Sequence, residues 1–141
     1  MTIRRSALAV AVAFVLGPAA AQSGIEHWSA MSSTAMAVTG DITLSPDRLI
    51  AAKKSFPLSV AADVTAFGTD TGPKPARILK VTSPADPVLL NGNTFCGAPV
   101  RWIVVYRGDG GRELSLAVFS GDAMPKGETD RSLCGTYLYA K

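Results

Sequence analysis

The chain has 141 residues, of which 48% are apolar, and it carries 14 Lys and Arg against 11 Asp and Glu. Beyond the first five residues, Lys53 and Lys54 are the only adjacent basic pair, so no basic stripe can follow a phosphate backbone. This composition argues against nucleic acid as a partner and predicts one ordinary globular domain.

Residues 1–21 have the layout of a secretory signal peptide. Arg4 and Arg5 precede an uncharged apolar run at 7–16, and three alanines ending at Ala21 form a small-residue cleavage site. The apolar run is about half the roughly 20 residues that a membrane-spanning helix needs, so no transmembrane anchor is expected. We predict cleavage near Ala21 and a periplasmic or secreted product. Arg4 and Arg5 leave with the leader, so 12 of the 14 basic residues remain against 11 acidic ones.

The mature chain divides into a short lead-in and one body. Residues 22–33 are polar without a sustained period and are predicted to form a flexible N-terminal segment. Trp28 is the bulkiest residue of this segment, and burial against the body is its expected fate. Residues 34–141 are predicted to form a single β domain that is long enough to bury one core.

From residue 34 onward, short β-type runs alternate with turn residues, which is typical of strands. Strands are predicted at 34–39, 42–45, 48–52 and 57–64. A long loop is predicted at 67–76, because this stretch contains two Gly and two Pro, and a further strand at 77–82. Asn91-Gly92, between 88–90 and 93–95, has the preferred chemistry of a two-residue hairpin turn.

The second half of the chain contains the strongest strand. Residues 100–107 are apolar on both faces in the middle, which is typical of a central strand covered on both sides. Residues 113–119 alternate after a Gly-rich turn and are expected to pair with it as the main hairpin. A surface loop is predicted at 121–133 and a closing strand at 134–139.

The two cysteines, Cys96 and Cys134, are predicted to form a disulfide, because both lie in the exported part of the chain. The loop that they close corresponds to about 4 kcal/mol of stabilisation in the chain-entropy model. A redox-active pair is the alternative, but the two residues are far apart in sequence. Two thiols and one His are too few ligands for a closed zinc site, so no metal is predicted.

About eight short strands joined by tight turns indicate an all-β fold. We predict a small antiparallel up-and-down barrel or a strongly curled sheet, since closure removes exposed edge strands. A β-sandwich is the alternative. The order Cys96, Trp102, Cys134 is that of an immunoglobulin domain, but the Tyr expected two residues before the second Cys is absent.

No catalytic residue and no cofactor are predicted. His27 is the only histidine and lies in the lead-in, and the nucleophile-elbow, phosphate-loop and zinc-protease motifs are missing. Two carboxylates such as Asp63 and Glu113 could serve a glycosidase only if the fold brought them together.

The candidate ligand-binding residues are Trp102, Tyr106, Asn91 and Asn93. Trp102 and Tyr106 share one face of the central strand and would line a pocket inside a barrel, although plain core is the commoner role of such residues. Asn91 and Asn93 flank Gly92, and their alternative role is to tolerate a left-handed turn.

The runs at 39–49, 86–93 and 133–137 resemble small exported proteins of Gram-negative bacteria that have no assigned activity. Periplasmic lysozyme inhibitors are also similar in being exported, compact, β-rich and disulfide-stapled. Their Ser-Gly-x-x-Tyr loop has no match, because Ser120-Gly121 is followed by Met124 where the Tyr would stand. The resemblance therefore implies compartment and size.

These observations favour an exported, non-enzymatic β-domain that binds a protein or a small ligand in the cell envelope. A structural or assembly component of the envelope is one alternative, and a cell-wall hydrolase that uses two carboxylates is another. The natural partner and the oligomeric state do not follow from the sequence.

Overall fold

Residues 24–141, which the computed structural model describes, form eight antiparallel strands. In chain order they are β1 (Glu26–Ala30), β2 (Ile42–Ser45), β3 (Arg48–Ala51), β4 (Lys54–Thr69), β5 (Gly72–Ala85), β6 (Val100–Gly108), β7 (Glu113–Phe119) and β8 (Leu133–Ala140). Each strand pairs with the next, and β8 pairs back with β1, where Ala30 lies opposite Tyr139. The sheet is a closed barrel, which confirms the predicted all-β, up-and-down architecture.

The predictions for the N-terminal part have different outcomes. The signal peptide and its cleavage site near Ala21 lie outside the described residues. The prediction of a flexible segment at 22–33 is wrong for its described part, 24–33, because Glu26–Ala30 is β1. The expected burial of Trp28 is confirmed, since it is only 1% exposed. Local pattern does not reveal β1, since its partners β2 and β8 come from other parts of the chain. The β domain therefore begins at β1 and not at residue 34.

The predicted strand at 34–39 is also wrong, because this stretch lies in a short helix, α1 (Ser33–Val38). Ser32 caps the helix: its Oγ accepts a hydrogen bond of 3.1 Å from the Ala35 backbone N–H. Ala35 is fully buried, and α1 packs beside β8. The capping serine and the alanines favour a helix over the apparent alternation.

The predicted loop at 67–76 is instead the end of a long hairpin, since only two residues separate β4 from β5. Pro73 and Pro75 are tolerated because this part of β5 pairs with β4 alone, and β6 joins only from Arg77 onward. Irregularities in β4 after Val60 and after Val64 interrupt its register with β5. Such bulges bend a strand, which lets the hairpin curl over the outside of the barrel.

The turn at Asn91-Gly92 has the predicted conformation but not the predicted strands. Both residues have positive φ, 56° and 74°, and the Asn93 N–H donates to the Leu90 carbonyl at 2.9 Å. The flanking residues belong to an irregular loop between β5 and β6. Leu89 and Phe95 of this loop are buried in the core. Burial of these side chains, and not pairing of two strands, therefore holds residues 88–95 in place.

The interior of the barrel is filled with side chains. Its cluster contains large inward-facing residues from all eight strands: Trp28, Leu44, Leu49, Phe56, Leu79, Ile103, Leu116 and Tyr139. An eight-stranded barrel has an interior just wide enough for such a core. One polar contact is enclosed with it, between the hydroxyls of Thr39 and Tyr139 at 2.7 Å.

A second apolar cluster lies on the outer face of β5, β6 and β7. It consists of Phe67, Ala76, Ile78, Trp102, Val104, Ala117 and Phe119. Phe67 comes from the curled hairpin, and its ring is 6.2 Å from that of Phe119 in an edge-on arrangement. The strand β6 is therefore buried on both faces, which confirms the prediction of a central strand.

The predicted disulfide is present between Cys96 and Cys134, whose Cα atoms are 4.9 Å apart. It joins the loop between β5 and β6 to the start of β8. The Asp86 carboxylate holds the same loop, because it accepts hydrogen bonds from the backbone N–H groups of Phe95 and Cys96 at 3.0 and 3.2 Å.

Candidate functional site

Trp102 and Tyr106 do not lie inside the barrel. They belong to the outer face of β6, whereas Ile103 and Val105 of the same strand face the interior. The expectation that they line an internal pocket is therefore wrong, because Trp102, Val104 and Tyr106 alternate with the inward-facing Ile103 and Val105. Trp102 is 9% exposed and its Nε1 donates to the Gly121 carbonyl at 2.9 Å, so it holds down the loop that follows β7.

Asn91 and Asn93 are brought together by a contact that is not local in sequence. Both side-chain Nδ2 groups donate to the Ala37 carbonyl, at 3.0 and 3.1 Å. They satisfy a backbone acceptor at the end of α1 and tie the loop to the helix. A role of either residue in binding a ligand stays a prediction.

A polar groove of about 450 Å³ lies on the outer face of β6, β7 and β8. Its floor is a row of three side chains on adjacent strands, because Tyr106 lies opposite Ser115 and Ser115 lies opposite Leu138. Ser32 lines the far side, and its Oγ accepts a hydrogen bond from the Leu138 N–H at 3.1 Å. The near side is formed by the turn between β4 and β5, which contributes Asp70.

Tyr106 and Glu128 form a short hydrogen bond in the groove. The Tyr106 hydroxyl donates to Glu128 Oε1 at 2.6 Å, and Glu128 Oε2 accepts from the Asp70 backbone N–H at 3.3 Å. Burial raises the pKa of Tyr106, and the Glu128 hydrogen bond and the charges of Glu128 and Asp70 raise it further, against a lowering contact from Ser115. Tyr106 is therefore a protonated donor at neutral pH.

Two glycines bring Glu128 to this position. Gly68 of β4 and Gly127 of the loop after β7 form an isolated parallel bridge. The Gly68 N–H donates to the Lys126 carbonyl at 3.1 Å, and the Glu128 N–H donates to the Gly68 carbonyl at 2.8 Å. A Cβ on Gly127 would lie 3.1 Å from the Gly68 backbone, so glycine at 127 allows this close approach without displacing Gly68.

Charged side chains of both signs surround the floor. Lys74 lies opposite Phe67 in the β4–β5 ladder and shares its face, which directs it toward the groove. Glu113 begins β7, and its Oε2 lies 3.5 Å from where a Cβ on Gly108 would be. Within residues 24–141, Lys74, Glu113 and Asp70 take no part in any ion pair.

The carboxylates Asp63 and Glu113 do not share a cleft. Asp63 lines a neighbouring cavity that shares Tyr106 and Arg107 with the groove but does not include Glu113. The two Asp63 oxygens accept from Arg77 at 2.8 and 3.1 Å. That hydrogen bond lowers the pKa of Asp63. His27 is on β1, exposed, with its Nδ1 3.2 Å from the Thr43 hydroxyl. Among residues 24–141, no three His, Cys, Asp or Glu side chains are placed to hold a metal.

The sequence predicts only some of the residues that form the groove. The alternating pattern of β7 predicts that Glu113 and Ser115 lie on the face opposite Leu114. The sequence gives no sign that Asp70 and Lys74 belong to a site, because the Gly- and Pro-rich stretch around them predicts a loop. The sequence does not indicate Glu128 either, because its hydrogen-bond partners belong to β4, β6 and the turn after β4, which are distant from it in sequence.

Comparison with protein-family models, curated proteins and solved structures found no match for this chain. Within the described part, 24–141, no helix is long and apolar enough to cross a membrane. Met124, at the place of the Tyr in the lysozyme-inhibitor loop, is 44% exposed on the segment after β7.

Proposed function

We propose that this protein is an exported, non-enzymatic binding domain that takes a small ligand or an exposed protein segment into the polar groove. The observation that carries the proposal is a set of three charges, Lys74, Asp70 and Glu113, that have no ion-pair partner among residues 24–141. They surround the floor formed by Tyr106, Ser115 and Leu138. The filled interior leaves the outer face of the barrel as the place for a ligand.

The groove has the construction expected of a recognition site. Its floor belongs to strands that are paired on both sides, and the side chains beneath them are buried, so it is held rigidly. Its volume lies in the range of about 300–1,000 Å³ that small-ligand sites occupy. Polar groups fixed on a rigid frame select a ligand by complementary charge and hydrogen bonding.

The disulfide supports the compartment in this proposal. Disulfides persist in oxidising compartments such as the periplasm or the extracellular medium. The Cys96–Cys134 disulfide is therefore compatible with an exported protein. Together with the leader-like sequence at 1–21, this favours export, with the natural partner in the cell envelope.

The proposal is tested by capture from native envelope extract with matched variants. The purified, oxidised protein is immobilised as native chain, as Lys74→Glu and as Lys80→Glu, and bound peptides and small molecules are identified by mass spectrometry. Lys80 is the control because it is also a lysine of β5 but does not line the groove. We expect a ligand that is retained by the native chain and by Lys80→Glu, and lost with Lys74→Glu. Equal capture by all three proteins would contradict the proposal.

A further inference from the structure

We infer that the ligand of the polar groove is a short peptide that carries both a free terminal carboxylate and basic groups. This inference rests on the proposed binding function and names its ligand class. It follows from the signs of the charges around the floor and from the polar character of the groove walls.

Two cations, Lys74 and Arg107, and three anions, Asp70, Glu113 and Glu128, line the groove. The Arg107 guanidinium is paired with Glu26 at 2.8 Å, which leaves Lys74 as the cation for a ligand. A ligand with one carboxylate and two or more ammonium groups complements these charges, and charge-assisted hydrogen bonds are stronger than neutral ones.

The walls disfavour apolar ligands. Leu138 is the one aliphatic residue among the lining side chains, and most of the others carry hydroxyl or charged groups: Ser32, Thr34, Asp70, Thr71, Lys74, Tyr106, Arg107, Glu113, Ser115, Glu128 and Thr136. An apolar ligand would cover these polar groups and leave them without hydrogen-bond partners, which costs free energy. A neutral polar ligand would satisfy the hydroxyls but would leave the charges uncompensated.

The placement of the charges gives the ligand a direction. Lys74 belongs to the curled hairpin, whereas Glu113 lies at the first position of β7, beside the turn that follows β6. They are more than 4.0 Å apart, since no ion pair joins them. The peptide carboxylate therefore contacts Lys74, one ammonium group contacts Glu113 across the floor, and a second contacts Asp70 on the same side as Lys74.

The test measures binding of the tripeptide Lys-Ala-Lys by isothermal titration calorimetry at low ionic strength. The probes are the free acid, its C-terminal amide and the acidic tripeptide Glu-Ala-Glu. We expect the native chain to bind the free acid about tenfold more tightly than the amide, since one hydrogen bond between charged groups is lost. Glu-Ala-Glu should bind more weakly than either basic probe.

Two variants separate the contacts, with Lys80→Gln as the control that leaves binding unchanged. Lys74→Gln should abolish the preference for the free acid over the amide. Glu113→Gln should weaken both basic probes by a similar factor and keep the preference. A native chain that does not distinguish acid from amide, or a Lys74→Gln variant that still does, overturns the inference. If Lys74-dependent capture from extract persists in that case, the groove binds a different class of ligand and the proposed function stands.

Discussion

The guanidinium of Arg107 lies over the ring of Trp28, with its central carbon 5.6 Å from the ring centroid. The same guanidinium donates to both carboxylate oxygens of Glu26, at 2.8 and 2.9 Å, and Glu26 accepts from Trp28 Nε1 at 3.0 Å. The Lys141 ammonium lies 5.1 Å from the same ring. Together these contacts join β1 to β6 and to the residue that follows β8, where β1 and β8 share only two paired positions.

Replacing Arg107 by Met should therefore lower the free energy of unfolding. The side chain is 45% exposed, so solvent screens the ion pair, and about 0.5–1.5 kcal/mol is expected from the lost cation–π contact and hydrogen bonds. Urea unfolding followed by Trp fluorescence measures it. Arg101→Met is the control, because its partner Asp122 is 95% exposed, and it should change stability by less than about 0.5 kcal/mol. Equal effects of the two variants would contradict the role assigned to Arg107.

The stability should depend on pH through Glu26. Burial acts to raise the pKa of Glu26, but hydrogen bonds from Arg107 and Trp28 and the charges of Arg107 and Lys141 outweigh it, so the pKa lies below its ordinary value of 4.5. The folded state binds the Glu26 proton less tightly than the unfolded state does. The stabilisation by ionised Glu26 is therefore fully present at a pH above its ordinary pKa, and it is lost as the pH falls through its lowered pKa in the folded state. The difference in unfolding free energy between the native chain and Glu26→Gln should shrink as the pH is lowered from about 6 to about 3. A difference that stays constant over this range would exclude the linkage.

Cys134→Ser should lower the melting temperature of the oxidised protein markedly. The bridge spans 38 residues along the chain, which corresponds to about 4 kcal/mol in the chain-entropy model. Differential scanning calorimetry measures the effect. The control is the same comparison with both proteins fully reduced, where the two should melt together. Equal melting of the oxidised proteins would show that the bridge does not stabilise the barrel.

Gly127→Ala should destabilise the protein and loosen the loop that brings Glu128 to Tyr106. The new Cβ would lie 3.1 Å from the Cα and the carbonyl oxygen of Gly68, which is closer than ordinary contact, and such overpacking costs about 1–3 kcal/mol. The reciprocal variant Gly68→Ala is the matched control, since its Cβ would lie at an ordinary 3.6 Å from the Gly127 Cα.

Hydrogen exchange distinguishes the two alanine variants. In Gly127→Ala the Gly68 and Glu128 amides should exchange faster than in the native chain, because both donate across the bridge between the two segments. In Gly68→Ala the Glu128 amide should keep its protection. Identical exchange in both variants would show that the close approach of the two glycines is not what positions Glu128.

The sequence by itself determined the features that depend on local pattern or on simple counting. The alternation of Glu113–Phe119 predicts β7 with the bounds that the structure shows. The apolar middle of 100–107 predicts a strand covered on both faces, which the structure places at Val100–Gly108. Two cysteines that follow a leader-like sequence predict one bridge, and the number of short runs predicts an antiparallel barrel. These features follow from the local sequence and do not depend on which distant segments pair.

Only the tertiary structure decided where pairing partners lie and which face of β6 looks inward. Trp28 is buried because β2, β8 and Arg107 converge on it from distant parts of the chain, and Phe67 is buried because two bulges curl its hairpin over the barrel. The groove arises in the same way, since Lys74, Glu113 and Glu128 belong to separate segments. Local propensity acts over a few residues, whereas closure of a barrel joins strands more than 100 residues apart, as Ala30 and Tyr139 show.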